Sequence, residues 1–185
     1  FFWSNFLALG AKALSFVLVV AIGFGIIGVF NQRPFVVRAA TFTSFQGVSG
    51  NVVLKRNGVD IPAYKGLALM EGDEIATSQN SFAEVSYFDD SVTRLSENTK
   101  VVINQLEGTE NSTSSYVEID LKEGVLWSKV INLLEENSVF VVKAADFSAY
   151  TNRGAFNVEF LKNKLKIGVF NNLIEIHDGD KVDQV

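Results

Sequence analysis

The sequence predicts one membrane-spanning α-helix followed by an all-β domain. Two observations carry that prediction. Ala13 to Phe30 is a run of eighteen residues without a charged side chain, rich in Val, Ile, Leu, Phe and Gly. Beyond it, short alternating apolar runs are separated by Gly, Asn and Asp, with no convincing amphipathic helix between them. Closely spaced strands with turn residues between them are the signature of an all-β fold.

The uncharged run, read as a helix, spans roughly 27 Å, close to a hydrocarbon core of about 30 Å. Phe6 to Lys12 lengthens it, with Lys12 extending toward the headgroups, and Phe1, Phe2 and Trp3 suit the interface. Pro34 disfavours helical geometry at the residue before it and ends the span near Asn31. A cleaved signal peptide fits less well. The run exceeds the usual apolar stretch of about 7 to 15 residues, and Arg33 and Arg38 precede the small pair Ala39-Ala40. The expected organisation is an anchor over 1–30 with its span at about 7–30, a linker over 31–46, a β domain over 47–176 and an acidic tail over 177–185. A start at Phe1 rather than Met points to a further segment upstream.

All 16 Lys/Arg except Lys12, and all 21 Asp/Glu, lie beyond the span. That acidic balance, with no basic stripe, argues against nucleic acid as a ligand. The absence of cysteine excludes disulfides, thiol catalysis and Cys-type zinc sites. Flanking charge, Lys12 on one side and Arg33 with Arg38 on the other, slightly favours a cytoplasmic domain.

Within the β region, Asn57-Gly58 between two strand-like runs is a hairpin signal, because both residues accept positive φ. Gly72-Asp73 and Gln79-Asn80 mark turns, with Ile75, Phe82, Val85 and Tyr87 punctuating short strands. Asp89-Asp90 separates "SYF" from "SVTRL" and reads as a two-residue hairpin tip. "KVVINQL" and "YVEIDLKEGVLWSKVI" follow, then "INLLEEN" as a helical turn or a loop. The last strands are split near Asn163-Lys164 and Asn171-Asn172.

Several of these segments together resemble the FecR-domain family. Gly72-Asp73-Glu74-Ile75-Ala76-Thr77, Ser81-Phe82-Ala83-Glu84-Val85, Asp90-Ser91 with Leu95, Leu121-Lys122-Glu123-Gly124-Val125 and Arg153-Gly154-Ala155-Phe156-Asn157-Val158 follow the family's motifs in order. Asp90 stands where the family usually has glycine, and Ala155 where it has threonine. The resemblance implies a twisted, partly solenoid-like or sandwich-like β domain on the outer side of a bacterial inner membrane. It also implies, for the best-known members, iron-uptake regulators with a cytoplasmic anti-sigma segment and a C-terminal module that meets a transporter. With only a short stretch after the last strand in this sequence, that module is not expected within residues 1–185.

Other motifs have plainer readings. Gly23-Phe24-Gly25-Ile26-Ile27-Gly28 matches a dinucleotide fingerprint but lies in the span, without the required strand or ribose-binding acid. Ala21 and Gly25, four apart, instead offer a small-residue face for packing against another helix. His177, the one histidine, sits with Asp178, Asp180 and Asp183 in a loose acidic group, which turn chemistry explains as well as a hard cation does. Arg153 is a possible partner contact; Gly154 beside it suits positive φ or a close crossing. Gly124 is read as a structural turn. Trp127 and Phe156 read as core. No nucleophile–base constellation stands out.

The expected function is therefore non-enzymatic: a membrane-tethered interaction or structural subunit of an envelope assembly. The alternative is a transmembrane signal transducer of anti-sigma type. Expected partners are the membrane and other envelope proteins, without nucleic acid, cofactor, metal or small-molecule ligand. On the family resemblance, and against the charge count, the domain is expected on the periplasmic side.

Overall fold

The computed structural model describes residues 43–108, 114–131, 138–172, 174–179 and 181–184. The predicted span, with Ala21 and Gly25, lies outside them, as do Asn132 to Asn137 of "INLLEEN". Among the described residues no helix is long and apolar enough to cross a membrane, and every regular element is a strand. These are β1 (Ser44–Ser49), β2 (Val52–Arg56), β3 (Val59–Pro62), β4 (Glu74–Thr77), β5 (Phe82–Ser86), β6 (Val92–Leu95), β7 (Lys100–Glu107), β8 (Tyr116–Val130), β9 (Val139–Ala144), β10 (Phe147–Thr151), β11 (Gly154–Leu161), β12 (Lys164–Asn171), β13 (Glu175–Asp178) and β14 (Lys181–Gln184).

The strands form two sheets that share β8. The smaller runs β1-β5-β6-β8-β11-β12, and the larger β3-β2-β4-β7-β8-β9-β10-β13-β14. All pairs are antiparallel except β8 with β9. β8 can serve both because it changes neighbours along its length. Tyr116 to Glu123 pair with β7, and Gly124 to Val130 pair with β11. Gly124 stands at the changeover with φ 106°, and a Cβ there would lie 2.5 Å from Thr99 Cα. Thr99 is held that close by its hydroxyl, which accepts from Val125 N–H at 3.0 Å.

Period-two alternation places the core. Leu54, Ile75, Ile103, Ile119, Leu121 and Val142 from the larger sheet, and Phe45, Val85, Leu95, Leu126, Phe156 and Val158 from the smaller, belong to one buried cluster. Tyr87, between β5 and β6, meets Phe140 of β9 edge-to-face at 5.3 Å, so the two sheets close on each other. Burying each such side chain contributes about 1.5–3 kcal/mol.

Three expectations are corrected here. The linker was expected to reach residue 46, but Ser44 and Phe45 pair with Ser86 and Val85 in β1, and Phe45 is fully buried. The expected tail over 177–185 contributes to a β13–β14 hairpin at the edge of the larger sheet. Ile174 and Ile176 pack on the core and bring that chain end onto β10. Trp127 lies on the outer face beneath Arg94, 5.1 Å from its ring centroid. Its neighbours Leu126 and Ser128 are the ones that point inward.

Candidate functional site on the outer face of the larger sheet

The core-facing row of β8 is Val117, Ile119 and Leu121, so alternation turns Tyr116, Glu118 and Asp120 outward. The parallel register sets Glu118 beside Val141 and Asp120 beside Lys143. Val141 in turn pairs with Tyr150, and Tyr150 with Glu175. A continuous outer row thus crosses four strands. Val141 is fully buried yet stands outside the core cluster, which makes this outer face a packed layer.

Glu118 is the centre of that layer. It is 7% exposed and accepts hydrogen bonds from Lys143 Nζ at 2.9 Å, Tyr116 Oη at 2.9 Å and Asn104 Nδ2 at 3.0 Å. A register irregularity between Ile103 and Gln105 falls at Asn104. Burial pushes the Glu118 carboxyl up, but the bonds from Lys143, Asn104 and Tyr116 outweigh it and leave the group below its ordinary range. Burial, then the bond to Glu118, pushes the Tyr116 phenol up to about 12. With three donors in place, Glu118 is suited to holding three strands together rather than to moving a proton.

Next to it the rings of Tyr150 and His177 lie 4.5 Å apart. His177 Nε2 is 2.6 Å from Glu175 Oε1. With Thr151, Asn152 and Gln184 these side chains line an open cleft of about 380 Å³. Amides, a hydroxyl and an aromatic pair can hold a polar ligand or a partner's side chain. Among the described residues no group of three or more His, Asp and Glu is placed to bind a metal ion.

Of the residues singled out in the sequence, His177 lies on this face, and the turn residues do not converge on it. Asn57 and Gly58, with φ of 51° and 79°, close the β2–β3 hairpin. Gly72 (φ 84°) opens the entry to β4, while Asp73 is 1% exposed and paired with Arg56. Asp89 and Asp90 lie in a longer connection than a two-residue tip. Tyr87 N–H donates to Ser91 O at 2.9 Å and Asp90 N–H to Tyr87 O at 3.1 Å, and Asp90 has φ 64°. This is a three-residue loop whose last member takes the left-handed conformation. Gly154 (φ 143°) is buried against Asn171 O, while Arg153 is exposed beside it. Arg153, Gly154, Lys129 and Asn171 line a second cleft of about 300 Å³ at the end of the smaller sheet.

Sequence reading missed Glu118, Tyr116, Lys143 and Tyr150. Two acids, Glu118 and Asp120, alternating with apolar residues in "YVEIDL" were the available signal of an outer row; the partners of Glu118 are identified only by the pairing of β8 with β7 and β9.

The FecR protein family matches residues 73–175, a stretch that includes Glu118, Lys143, Tyr150 and Arg153. No curated protein matches. Two crystal structures of a candidate anti-sigma factor from Parabacteroides distasonis ATCC 8503, at 1.65 Å and 2.50 Å resolution, are similar at 19% and 20% identity. Each similarity covers 60% of this chain and 50% of that one, with a TM-score of 0.49. The chain thus spans about half the length of the solved structures it matches.

Proposed function

The chain belongs to the FecR protein family, and from that premise we propose that it is the β domain of a membrane-tethered, signal-transducing regulator of anti-sigma type. The single observation behind this reading is the family match, which runs from Asp73 to Glu175 and so takes in β4 to β12 with the cluster around Glu118. Sequence reasoning put an interaction or structural subunit first and the regulator second; family membership supports the reverse order. The regulator is non-catalytic on this reading, with its β domain on the outer side of a bacterial inner membrane. Its role is to bind another envelope protein and pass that state through the membrane helix. The saturated hydrogen bonding of Glu118 favours a rigid, partner-binding face over a reacting group.

Transcript profiling tests the regulator reading. The chromosomal copy is replaced by one lacking the β domain, and RNA from both strains is sequenced. A regulator changes a compact set of transcripts in common. Unchanged transcripts together with loss of a co-purifying membrane complex would restore the structural-subunit reading.

A further inference from the structure

Among the described residues β12 is one of the two edge strands of the smaller sheet, β1 being the other. It pairs with β11 alone, over Lys164 to Asn171, so one side of an eight-residue strand has no partner among the described residues. An unpaired strand edge is a row of backbone donors and acceptors ready to take another strand. The side chains give that edge two distinct rows. Leu165, Ile167 and Val169 pack against the core but are only partly buried. Phe156 and Val158 on the inner neighbour β11 are 0% and 1% exposed. Burial on the core side therefore stops at β12, one strand short of completion.

The outward row is basic. Lys162, Lys164 and Lys166 are all exposed, and residues 160–171 contain no acid. Among the described residues Lys166 is met only by Glu159 at 4.0 Å, with its own side chain 78% exposed. Phe170, near the register irregularity at the far end, is 69% exposed. Past it, at Asn171, lies the cleft lined by Lys129 and Arg153. This concentration of cations stands out in a chain of net charge −5.

We propose that β12 is a docking edge for an extended, acidic segment of a protein partner, which adds to the smaller sheet as a further strand. Main-chain hydrogen bonds supply the attachment, and alternate side chains supply the choice of partner. Apolar residues of the added strand cover Leu165, Ile167 and Val169. Its outward carboxylates meet Lys164 and Lys166 as cross-strand pairs. Lysines on an edge normally keep other edges away; toward an acidic strand the same lysines attract and set register. A second copy of this chain would bring its own lysines to the same sheet, where like charges oppose pairing. The proposal goes beyond the regulator reading and does not depend on it, since an assembly subunit could use the same edge.

The test uses the full chain in phosphatidylcholine nanodiscs. A fluorescein-labelled octapeptide alternating Val and Glu is titrated by fluorescence anisotropy, next to a Val/Lys octapeptide, and amide exchange is followed over 164–171. The Val/Glu peptide is expected to bind, to weaken as salt rises and to protect the β12 amides; the Val/Lys peptide is expected not to bind. The double change Lys164→Glu with Lys166→Glu weakens binding about tenfold or more, with a melting midpoint lowered only slightly by the like charge set opposite Glu159. Failure of the Val/Glu peptide to bind, equal binding of both peptides, protection confined to other strands, or indifference to the double change overturns the proposal. β12 protection that rises with chain concentration in the absence of peptide overturns it in favour of self-pairing.

Discussion

Arg56 and Asp73 are joined side by side: Arg56 Nε donates to Asp73 Oδ1 at 2.8 Å and Nη2 to Oδ2 at 2.6 Å. Asp73 is 1% exposed and also accepts Met70 N–H at 2.8 Å, while Arg56 Nη2 reaches Ala68 O at 2.8 Å. The pair therefore ties the end of β2 to the irregular connection that leads into β4. Replacing Arg56 by Met leaves a buried carboxylate with one donor, and is expected to destabilise the protein by about 3 kcal/mol. Arg56→Lys should recover little, because a single ammonium cannot match both oxygens. Denaturant titration of the full chain in mild detergent, followed by its β-sheet circular dichroism, measures both.

Gly124 gives a sharper expectation. Gly124→Ala would place a methyl group 2.5 Å from Thr99 Cα, at a φ of 106°. Neither the backbone of Thr99 nor that of β8 can yield without breaking the Thr99–Val125 hydrogen bonds. A loss of about 3 kcal/mol or more is expected. Near-wild-type stability in the same titration would show that the strand crosses between sheets by some other accommodation.

These two sites mark the boundary of what the sequence made legible. Asn57-Gly58 could be read because a tight turn is specified by the residues within it. Phe156 could be read as core because alternation along one strand is local. Arg56 and Asp73 are each ordinary surface residue types, and only the fold brings them together. Trp127 was put on the wrong face because alternation shows that two rows exist without saying which row is inside; that depends on which strands pack over β8. The polar layer around Glu118 needs β7 and β9 beside β8. Neither neighbour, nor the change of neighbours at Gly124, leaves a local trace beyond the glycine itself. The extent of the domain was misread at both ends for a related reason. Phe45 is an isolated apolar residue in a short polar context, and only its distant partner in β5 makes it core; β14 at the other end is exposed throughout and has no apolar alternation to mark it.

Glu118 should dominate part of the acid response. Its folded-state pKa lies below the unfolded one. Its contribution is thus present above the unfolded value, about 4.5, and is lost as pH falls through the folded value. Glu118→Gln keeps the shape but removes the charge opposite Lys143. It is expected to lower stability at pH 7 by about 2 kcal/mol and to reduce the decline as pH falls below about 4.5. A variant whose stability falls with acid as steeply as the parent's would assign that decline to other carboxylates.

The orientation of the domain can be checked chemically. Ser114 is exposed beside β8, and the chain has no cysteine, so Ser114→Cys creates a unique label site. A membrane-impermeant maleimide is expected to label it in spheroplasts without lysis. Labelling that appears only after the inner membrane is opened would place the domain in the cytoplasm.

The adjacent carboxylates Asp89 and Asp90 should respond in different ways. Asp90 occupies the left-handed position of its loop at φ 64°, where a residue with a Cβ is strained. Asp90→Gly is expected to be neutral or to stabilise by up to about 1 kcal/mol. Asp89 instead braces the loop. Its Oδ1 accepts Ser91 N–H at 2.9 Å, and its Oδ2 is buried without a hydrogen-bond partner among the described residues. Burial raises its pKa despite the bonds to Ser91. A raised carboxyl favours the folded state only when protonated, so Asp89 costs stability at neutral pH and returns it as pH falls toward its unfolded value. Asp89→Asn keeps the acceptor and removes the charge, so it should stabilise at pH 7 and cancel the gain on acidification. A metal site predicts the opposite for both changes, because each removes or weakens a ligand. Melting curves of the parent and both variants, with calcium and with chelator, separate the two. The loop reading expects superimposable curves for each protein. If chelator lowers the parent's midpoint by several degrees, and both substitutions abolish that dependence, the carboxylates hold an ion.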